Sequence, residues 1–408
     1  MNRDLPSRCD VLVVGAGPAG SACATALARD GVRVVLVDAH TFPRDKICGD
    51  GLIPDAHAAL RKLGVYDEVM ARAQRAGHVG CIGPRGGRID VPGHLAVLPR
   101  RELDEILLRN AERAGADFRA PLRFDAPLEQ DGRVVGALFK SGDEQHEIRA
   151  DWTVLATGAV PQALMAAGMC TRRQPSGVAL RGYVRNPAMV GRITELEVVW
   201  HHQLRPGYGW IFPCRDGVFN IGAGVLDAHT MTRNDGGVGM KDVNLRDVFK
   251  AFTACYAPAR ELMAGGTIVG ELKGAPLRCT LDGARWARPG LLVTGEAAGS
   301  TYAFTGEGIG KAMETGLLAA QALTRQSGAR SDADITAAYE ASLRALKPRF
   351  DLYERANRVN QYPWLADLLI WRAQRSERLR RRMAGVLEET SNPGHLVTVK
   401  GMFRLFTE

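Results

Sequence analysis

The chain has no run of about 18 apolar residues, so no segment is expected to span a bilayer as a helix. Its eight cysteines, at 9, 23, 48, 81, 170, 214, 255 and 279, form no CxxC pair and no Cys/His cluster at metal-ligand spacing. That argues against a metal centre and a disulfide framework, and points to free thiols in a reducing, cytoplasmic compartment. The opening stretch MNRDLPSRCD is polar and does not read as a secretory leader. No internal repeat and no Gly/Ser or Pro linker is evident, so the lobes are expected to interleave rather than follow one another. The GxSxG, HExxH and Walker signatures are missing as well. His201-His202 is an isolated pair without a third ligand nearby, and is expected at the surface or a sheet edge.

The composition is that of an ordinary globular protein, 46% hydrophobic and 24% charged, and 408 residues suffice for two or three lobes. The net charge is +8, and six arginines fall between 372 and 382. No nucleic-acid-binding motif accompanies them, so nucleic acid is not an expected partner.

The strongest local signal lies at the N-terminus. Asp10–Val14 (DVLVV) reads as a buried strand ending at Gly15-Ala16-Gly17-Pro18-Ala19-Gly20, a GxGxxG. The small-residue helix SACATALARDG follows and stops at Gly31, where a helix C-cap is expected. A second strand, Val32–Val37, ends at Asp38, with Ala39 beside it. Gly15 permits the tight turn, Gly17 lets backbone approach a pyrophosphate, and Gly20 lets helix and strand pack closely. The pyrophosphate would sit on the helix N-terminus, with Asp38 holding the ribose hydroxyls. This much means a dinucleotide, without saying which.

A second glycine-rich helix start settles the reading on FAD. Leu291–Val293 runs into Gly295-Glu296-Ala297-Ala298-Gly299, and Thr305-Gly306-Glu307-Gly308-Ile309 opens another helix. A nicotinamide nucleotide does not need two such loops far apart, whereas the ribityl chain and ring of a flavin do. Glu296 can accept a ribityl hydroxyl. The helix start at Gly306, Gly308 and Ile309 points positive charge at the ring edge that turns anionic on reduction.

Taken together, GAGPAG with Asp38, FPRDKICGDGL (42–52), GYGWIFP (207–213) and GEAAG…TGEGI resemble the geranylgeranyl reductase family of FAD-dependent oxidoreductases. That family lies within the para-hydroxybenzoate hydroxylase-type flavoproteins, with flavin halogenases as relatives. The resemblance runs from about residue 8 to 320. It implies an α/β (α+β overall) fold: a Rossmann-like, three-layer FAD domain (8–80, 95–170 and 280–330) interleaved with an antiparallel sheet (81–94 and 171–279), then a helical region, 331–408. By the same resemblance Arg44 approaches the adenosine phosphate side, Arg100 faces the pyrophosphate, Phe124 offers backbone to adenine, and Ala156-Thr157-Gly158 lies over the cofactor. Three positions depart from the family pattern: Leu103-Asp104 for its Phe-Asp pair, Glu296 for Asp, and Phe304 for Pro.

Cys48-Gly49-Asp50-Gly51 falls where the family places a loop beside the flavin ring, which makes Cys48 the candidate catalytic residue. Gly49 and Gly51 would let backbone approach a planar ring. Simple packing of a small free cysteine is the other reading of Cys48. Tyr208, Trp210 and Phe212 alternate along GYGWIFP and could line a substrate cavity or merely fill a sheet core. No second GxGxxG is present, so NAD(P)H binding transiently, or a ferredoxin or separate reductase, would supply electrons.

Beyond Asp332 the chain reads as helix. Trp364, Leu368, Trp371, Leu379, Met383 and Val386 form an apolar stripe with arginines opposite. That stripe implies either packing on the body with a solvated basic face or peripheral contact of 364–387 with the inner membrane face. The expected activity is reduction of C=C bonds of a polyprenyl (geranylgeranyl-type) or similar hydrophobic substrate by reduced FAD. The alternative is a flavin-dependent monooxygenase or halogenase acting on an aromatic.

Overall fold

Arg8–Val14 is apolar on both faces and becomes a central strand, with parallel neighbours on each side: Val34–Val37 and Glu144–Leu155. A strand buried on both faces needs cover above and below, and the chain supplies it. The structure is a computed structural model, and it describes residues 5–226, 243–324 and 331–391. The first sheet continues outward through Asp117–Arg119 on one side, and through Leu291–Val293 and Ala287–Arg288 on the other. Helices Pro18–Arg29, Arg100–Ala114, Ile309–Thr324 and Asp332–Ala356 bury their apolar residues against one face. The other face is closed by the antiparallel strands Arg123–Gln130 and Arg133–Ser141 and by helix Gln162–Ala166.

A second eight-stranded sheet stands over the C-terminal ends of these strands. Its middle runs through Gly177–Arg185, Val218–Leu226, Gly207–Pro213 and Leu196–Val199, joined antiparallel. GYGWIFP and VFNIGAGV pair antiparallel within this sheet and are buried along nearly their whole length. Leu196–Val199 then pairs in parallel with Gln74–Ile82, which pairs antiparallel with Arg88–Val97. The second sheet thus takes all of 74–97 and also Gly51–Leu52, more than the segment 81–94 expected from sequence. Residues 74–78 are exposed or half-buried and 95–97 are buried, and neither pattern reveals which sheet they join. The two sheets interleave in sequence, which makes an α/β FAD-type fold with a C-terminal helical segment.

The tail corrects one expectation. It does not carry a single apolar stripe; it breaks into Asp332–Ala356, Arg358–Gln361, Trp364–Ala373 and Glu377–Leu387. The break at 374–376 rotates the last helix, so Leu379 and Val386 are buried while Trp364 and Trp371 turn outward. Leu365, Ala366, Leu369, Ile370 and Ala373 form the inner face instead. The expected helical span 392–408 lies outside the described residues. Among the described residues no helix is long and apolar enough to cross a membrane.

Candidate flavin and substrate site

The phosphate loop is fixed by its neighbours. Gly15 donates its N–H to Val37 O at 2.7 Å, and Ala156 donates to Val14 O at 2.8 Å. Gly15 has φ +104°, and a Cβ there would fall 2.4 Å from Ala156 O; at Gly20 it would fall 1.8 Å from Gly15 O. No side chain fits at either position. Helix Pro18–Arg29 opens directly afterwards with Pro18 at its first position, no side-chain cap and no acid in its first turn. Its N-terminal N–H groups are therefore left for an external acceptor.

Two guanidiniums stand over the same turn. A Cβ built on Gly17 would lie 3.6 Å from Arg44 and 3.9 Å from Arg100. Both are held by one buried carboxylate: Asp104 accepts from Arg100 Nε at 2.6 Å and a second Arg100 nitrogen at 2.8 Å, and lies 3.2 Å from Arg44. The Leu103-Asp104 departure noted in the sequence is thus a clamp, with Arg100 and Asp104 one helical turn apart. Asp38 accepts from the Ala16 N–H and the His40 N–H, both at 2.9 Å, and retains lone pairs for ribose hydroxyls. The chain beside it is that of Arg119 and Leu122, which bond to the Asp38 backbone. Phe124 lies two residues further on and turns its ring into the core against Phe139.

The second glycine-rich segment arrives at the same helix start. A Cβ on Gly295 would meet Ala19 Cβ at 2.6 Å, and one on Gly316 would meet Ala19 O at 2.2 Å. The two helices that follow the two glycine loops therefore cross in near contact. Glu296 follows in a short 3-10 turn, with the Thr301 hydroxyl 3.5 Å from its carboxylate.

At the far end, loop 45–51 and the Thr305–Gly308 turn both face the second sheet. Phe212 lies 3.2 Å from a Cβ position on Gly49 and 3.3 Å from one on Gly51. Tyr208 donates its hydroxyl to Thr305 O at 2.6 Å, and the same oxygen would lie 2.6 Å from a Cβ on Gly306. Trp210 sits between them and donates to Asn220 Oδ1 at 2.9 Å. Cys48–Gly51, Tyr208, Trp210, Phe212 and Gly306 are thus brought around one space.

The sequence reading missed the residues that fasten this arrangement. Arg181, fully buried on its strand, donates to Asp45 at 2.8 Å and to Lys46 O at 2.7 Å, and reaches Cys48 O at 3.3 Å. Asn220 donates to Cys48 O at 2.8 Å and to Asp50 Oδ2 at 2.7 Å. A single arginine inside the apolar run GVALRGYV was the available signal for Arg181; nothing marked Asn220.

Asp50 is the titratable group at the centre. It has φ +66°, is fully buried, and accepts the Tyr183 hydroxyl at 2.5 Å. Burial pushes its carboxyl up to about 6, against the pull of Arg181, Tyr183 and Asn220. Burial also raises the Cys48 thiol, although the Arg100 guanidinium works against it.

Behind the second loop lies a further buried group of charges. Lys311 meets Glu389 at 2.6 Å, Glu314 at 2.7 Å and Asp55 at 3.6 Å. No described donor reaches Asp55 Oδ2 or either Glu307 oxygen, and the two carboxyls adjoin. Burial raises both carboxyls; the Asp55 charge adds to the rise at Glu307, whereas the Glu307 contact and Lys311 work against the rise at Asp55.

Comparison with known proteins agrees with this geometry. Residues 8–184 match the FAD binding domain family. Menaquinone reductase of Mycolicibacterium smegmatis is 34% identical over 339 residues, covering 78% of this chain and 77% of that protein. The chain belongs to the geranylgeranyl reductase family of FAD-dependent oxidoreductases. Digeranylgeranylglycerophospholipid reductase 1 of Methanopyrus kandleri is 27% identical over 321 residues, with 76% and 79% covered. Among solved structures, a geranylgeranyl bacteriochlorophyll reductase-like protein of Thermoplasma acidophilum superposes with TM-score 0.71 at 20% identity, covering 99% and 97%. A flavin-dependent brominase gives TM-score 0.74 at 18% identity, covering 98% and 99%, so the fold is shared across different chemistries. Within this family the glycine turn with its two guanidiniums fits a dinucleotide pyrophosphate, and the enzyme is an FAD-dependent oxidoreductase.

Proposed function

We propose that this enzyme saturates C=C bonds in the isoprenoid chain of a hydrophobic substrate. The observation that carries the reading is the aromatic face Tyr208–Trp210–Phe212 set directly against the Cys48–Gly51 loop and the Thr305–Gly306 turn. Such a face suits a flexible apolar chain, and around it only a few polar groups converge. The named substrates of the two relatives, menaquinone and digeranylgeranylglycerophospholipid, have a polyisoprenoid chain in common.

Residue roles follow from position. Gly15–Gly20, Arg44 and Arg100 would hold the pyrophosphate. Asp38 with Ala39 would hold the adenosine ribose, and Gly295 and Glu296 would take the ribityl chain. Cys48–Gly51 and Gly306–Ile309 would lie toward the ring. Reduced FAD, when bound, supplies hydride; the external reductant is NAD(P)H or a ferredoxin-type donor. Each saturation also consumes one proton. Asp50 is suited to hold it, since burial pushes its carboxyl up to about 6 and Oδ1 accepts only a long 3.3 Å bond, from the Arg100 N–H. Cys48 packs beside Arg100 and shapes the loop rather than attacking substrate.

The test is anaerobic. Enzyme reduced with dithionite is mixed with menaquinone or a geranylgeranyl phospholipid, and both flavin absorbance and product mass are followed. Reoxidation without oxygen and a gain of two hydrogens per turnover is the expected result. If reoxidation requires oxygen and an added aromatic gains an oxygen or a halogen, the enzyme is a monooxygenase or halogenase and the reductase reading is wrong.

A further inference from the structure

Among the described residues, helix Trp364–Ala373 has an exposed outer face. Of the large hydrophobic residues exposed among those described, the three aromatics are Tyr362 (45%), Trp364 (50%) and Trp371 (45%), all within ten positions. The others are aliphatic and lie elsewhere in the chain. Trp364 and Trp371 are seven residues apart, which places them on one side of the helix, about 10 Å from each other. Arginines accompany the rings: Arg375 lies 5.0 Å from the centre of Trp371, and Arg205 lies 5.9 Å from that of Tyr362.

The charge around this face is one-sided. Between 358 and 382 there are seven arginines and two acids. Asp367 lies 3.8 Å from Arg85, and Glu377 pairs with Arg381 at 2.5 Å, so both acids are already engaged. A protein partner with an acidic surface would leave two exposed tryptophans unexplained. An apolar protein groove would in turn leave the arginines unexplained. Tryptophan and tyrosine beside arginine, an apolar body with polar or charged groups at its edge, match the headgroup region of an anionic bilayer.

We propose that the face bearing Tyr362, Trp364 and Trp371 docks on an anionic lipid bilayer, with the rings at headgroup level and the guanidiniums beside them, Arg205 and Arg375, at the lipid phosphates. The opposite side of the same helix supplies Leu365, Ala366, Leu369 and Ile370 to the apolar cluster that contains Tyr208 and Trp210. Docking therefore brings the bilayer within one helix diameter, about 10 Å, of the aromatic face of the second sheet. The proposal stands without the substrate assignment, because it concerns the surface alone.

The experiment is co-sedimentation of the FAD-loaded enzyme with substrate-free vesicles. One set is phosphatidylcholine; the other contains about one-third phosphatidylglycerol. Binding to the anionic set is expected to exceed that to the neutral set by at least about tenfold and to weaken as salt is raised. Trp364→Ser with Trp371→Ser is expected to cut binding about tenfold, with flavin spectrum and melting temperature unchanged. Quenching by brominated lipid supplies a second readout, since the other four of the six tryptophans, at 152, 200, 210 and 286, are buried or half-buried. Equal binding to both vesicle sets, or full anionic binding by the double variant with its tryptophan emission unquenched, would overturn the proposal. So would self-association of the wild type that the double variant abolishes while vesicle binding is unaffected.

Discussion

Asp50 is the residue whose chemistry is easiest to interrogate. If its carboxyl delivers the proton, the single-turnover rate of flavin reoxidation by substrate should fall as pH rises through about 6, and Asp50→Asn should be slow and flat across that range. The same group affects stability with a definite sign. Its folded value, about 6, exceeds the ordinary carboxylate value, so the folded state holds the proton more tightly. Stability is then fully present below about 4 and declines, by up to about 3 kcal/mol, as pH climbs to about 6. His57 acts in the opposite sense, since burial lowers its imidazole to about 4 and costs stability as pH falls from 6.5. Comparing urea midpoints of wild type and Asp50→Asn across pH 4–7 isolates the Asp50 slope.

Asp104 is the second residue-scale case. Removing its charge leaves Arg44 and Arg100 crowded without a counter-ion, at a cost of about 3–5 kcal/mol. The FAD pyrophosphate would restore part of the missing negative charge. Asp104→Asn should therefore melt lower than wild type without cofactor, and gain more in melting temperature than wild type when FAD is added. An equal FAD shift in both proteins would place the cofactor's phosphates away from the two arginines.

At the scale of elements, the crossing of Pro18–Arg29 with Ile309–Thr324 sets how the two glycine loops meet. Gly316 faces Ala19 O so closely that a Cβ would fall 2.2 Å from it. Gly316→Val should push the helices apart, destabilise by about 2–4 kcal/mol and weaken FAD retention. A thermal melt and the flavin-to-protein absorbance ratio check both effects. Much of this element was legible beforehand. GAGPAG, its flanking strands and Asp38 carry a local pattern that fixes strand, turn and helix with little help from distant residues. Gly295–Ile309 was legible as a glycine-rich helix start for the same reason. The reach of Asp104 to Arg44 and the partners of Arg181 on loop 45–51 were not, because which distant residue a buried charge meets leaves no periodic trace.

At the scale of the whole molecule, the C-terminal helices join the two layers through a few buried amides. Asn360 accepts from Trp200 Nε1 at 2.7 Å and donates to Phe304 O at 3.2 Å, and Asn357 donates to Leu226 O at 3.3 Å. Asn360→Leu strands the Trp200 N–H and the Phe304 carbonyl in an apolar interior. The expected cost is about 2–4 kcal/mol, with faster proteolysis of the segment after residue 356. Limited digestion followed by mass analysis reads this directly. Protection equal to wild type would mean that packing alone seats the tail.

What the sequence determined by itself was whatever rests on short-range chemistry. Glycines at tight turns, an acid after the second strand and alternating aromatics on one strand are local necessities, and together they meant FAD under a sheet. Tertiary structure decided what depends on direction and partnership. It turned Trp364 and Trp371 outward, because the break after Ala373 resets the helical phase that the sequence pattern assumed to be continuous. It raised both the half-buried Cys48 thiol and the buried Asp50 carboxyl, because desolvation is set by surrounding atoms, not by neighbours in the chain. It also drew 74–97 into the second sheet, where pairing with Leu196–Val199 joins segments more than one hundred residues apart.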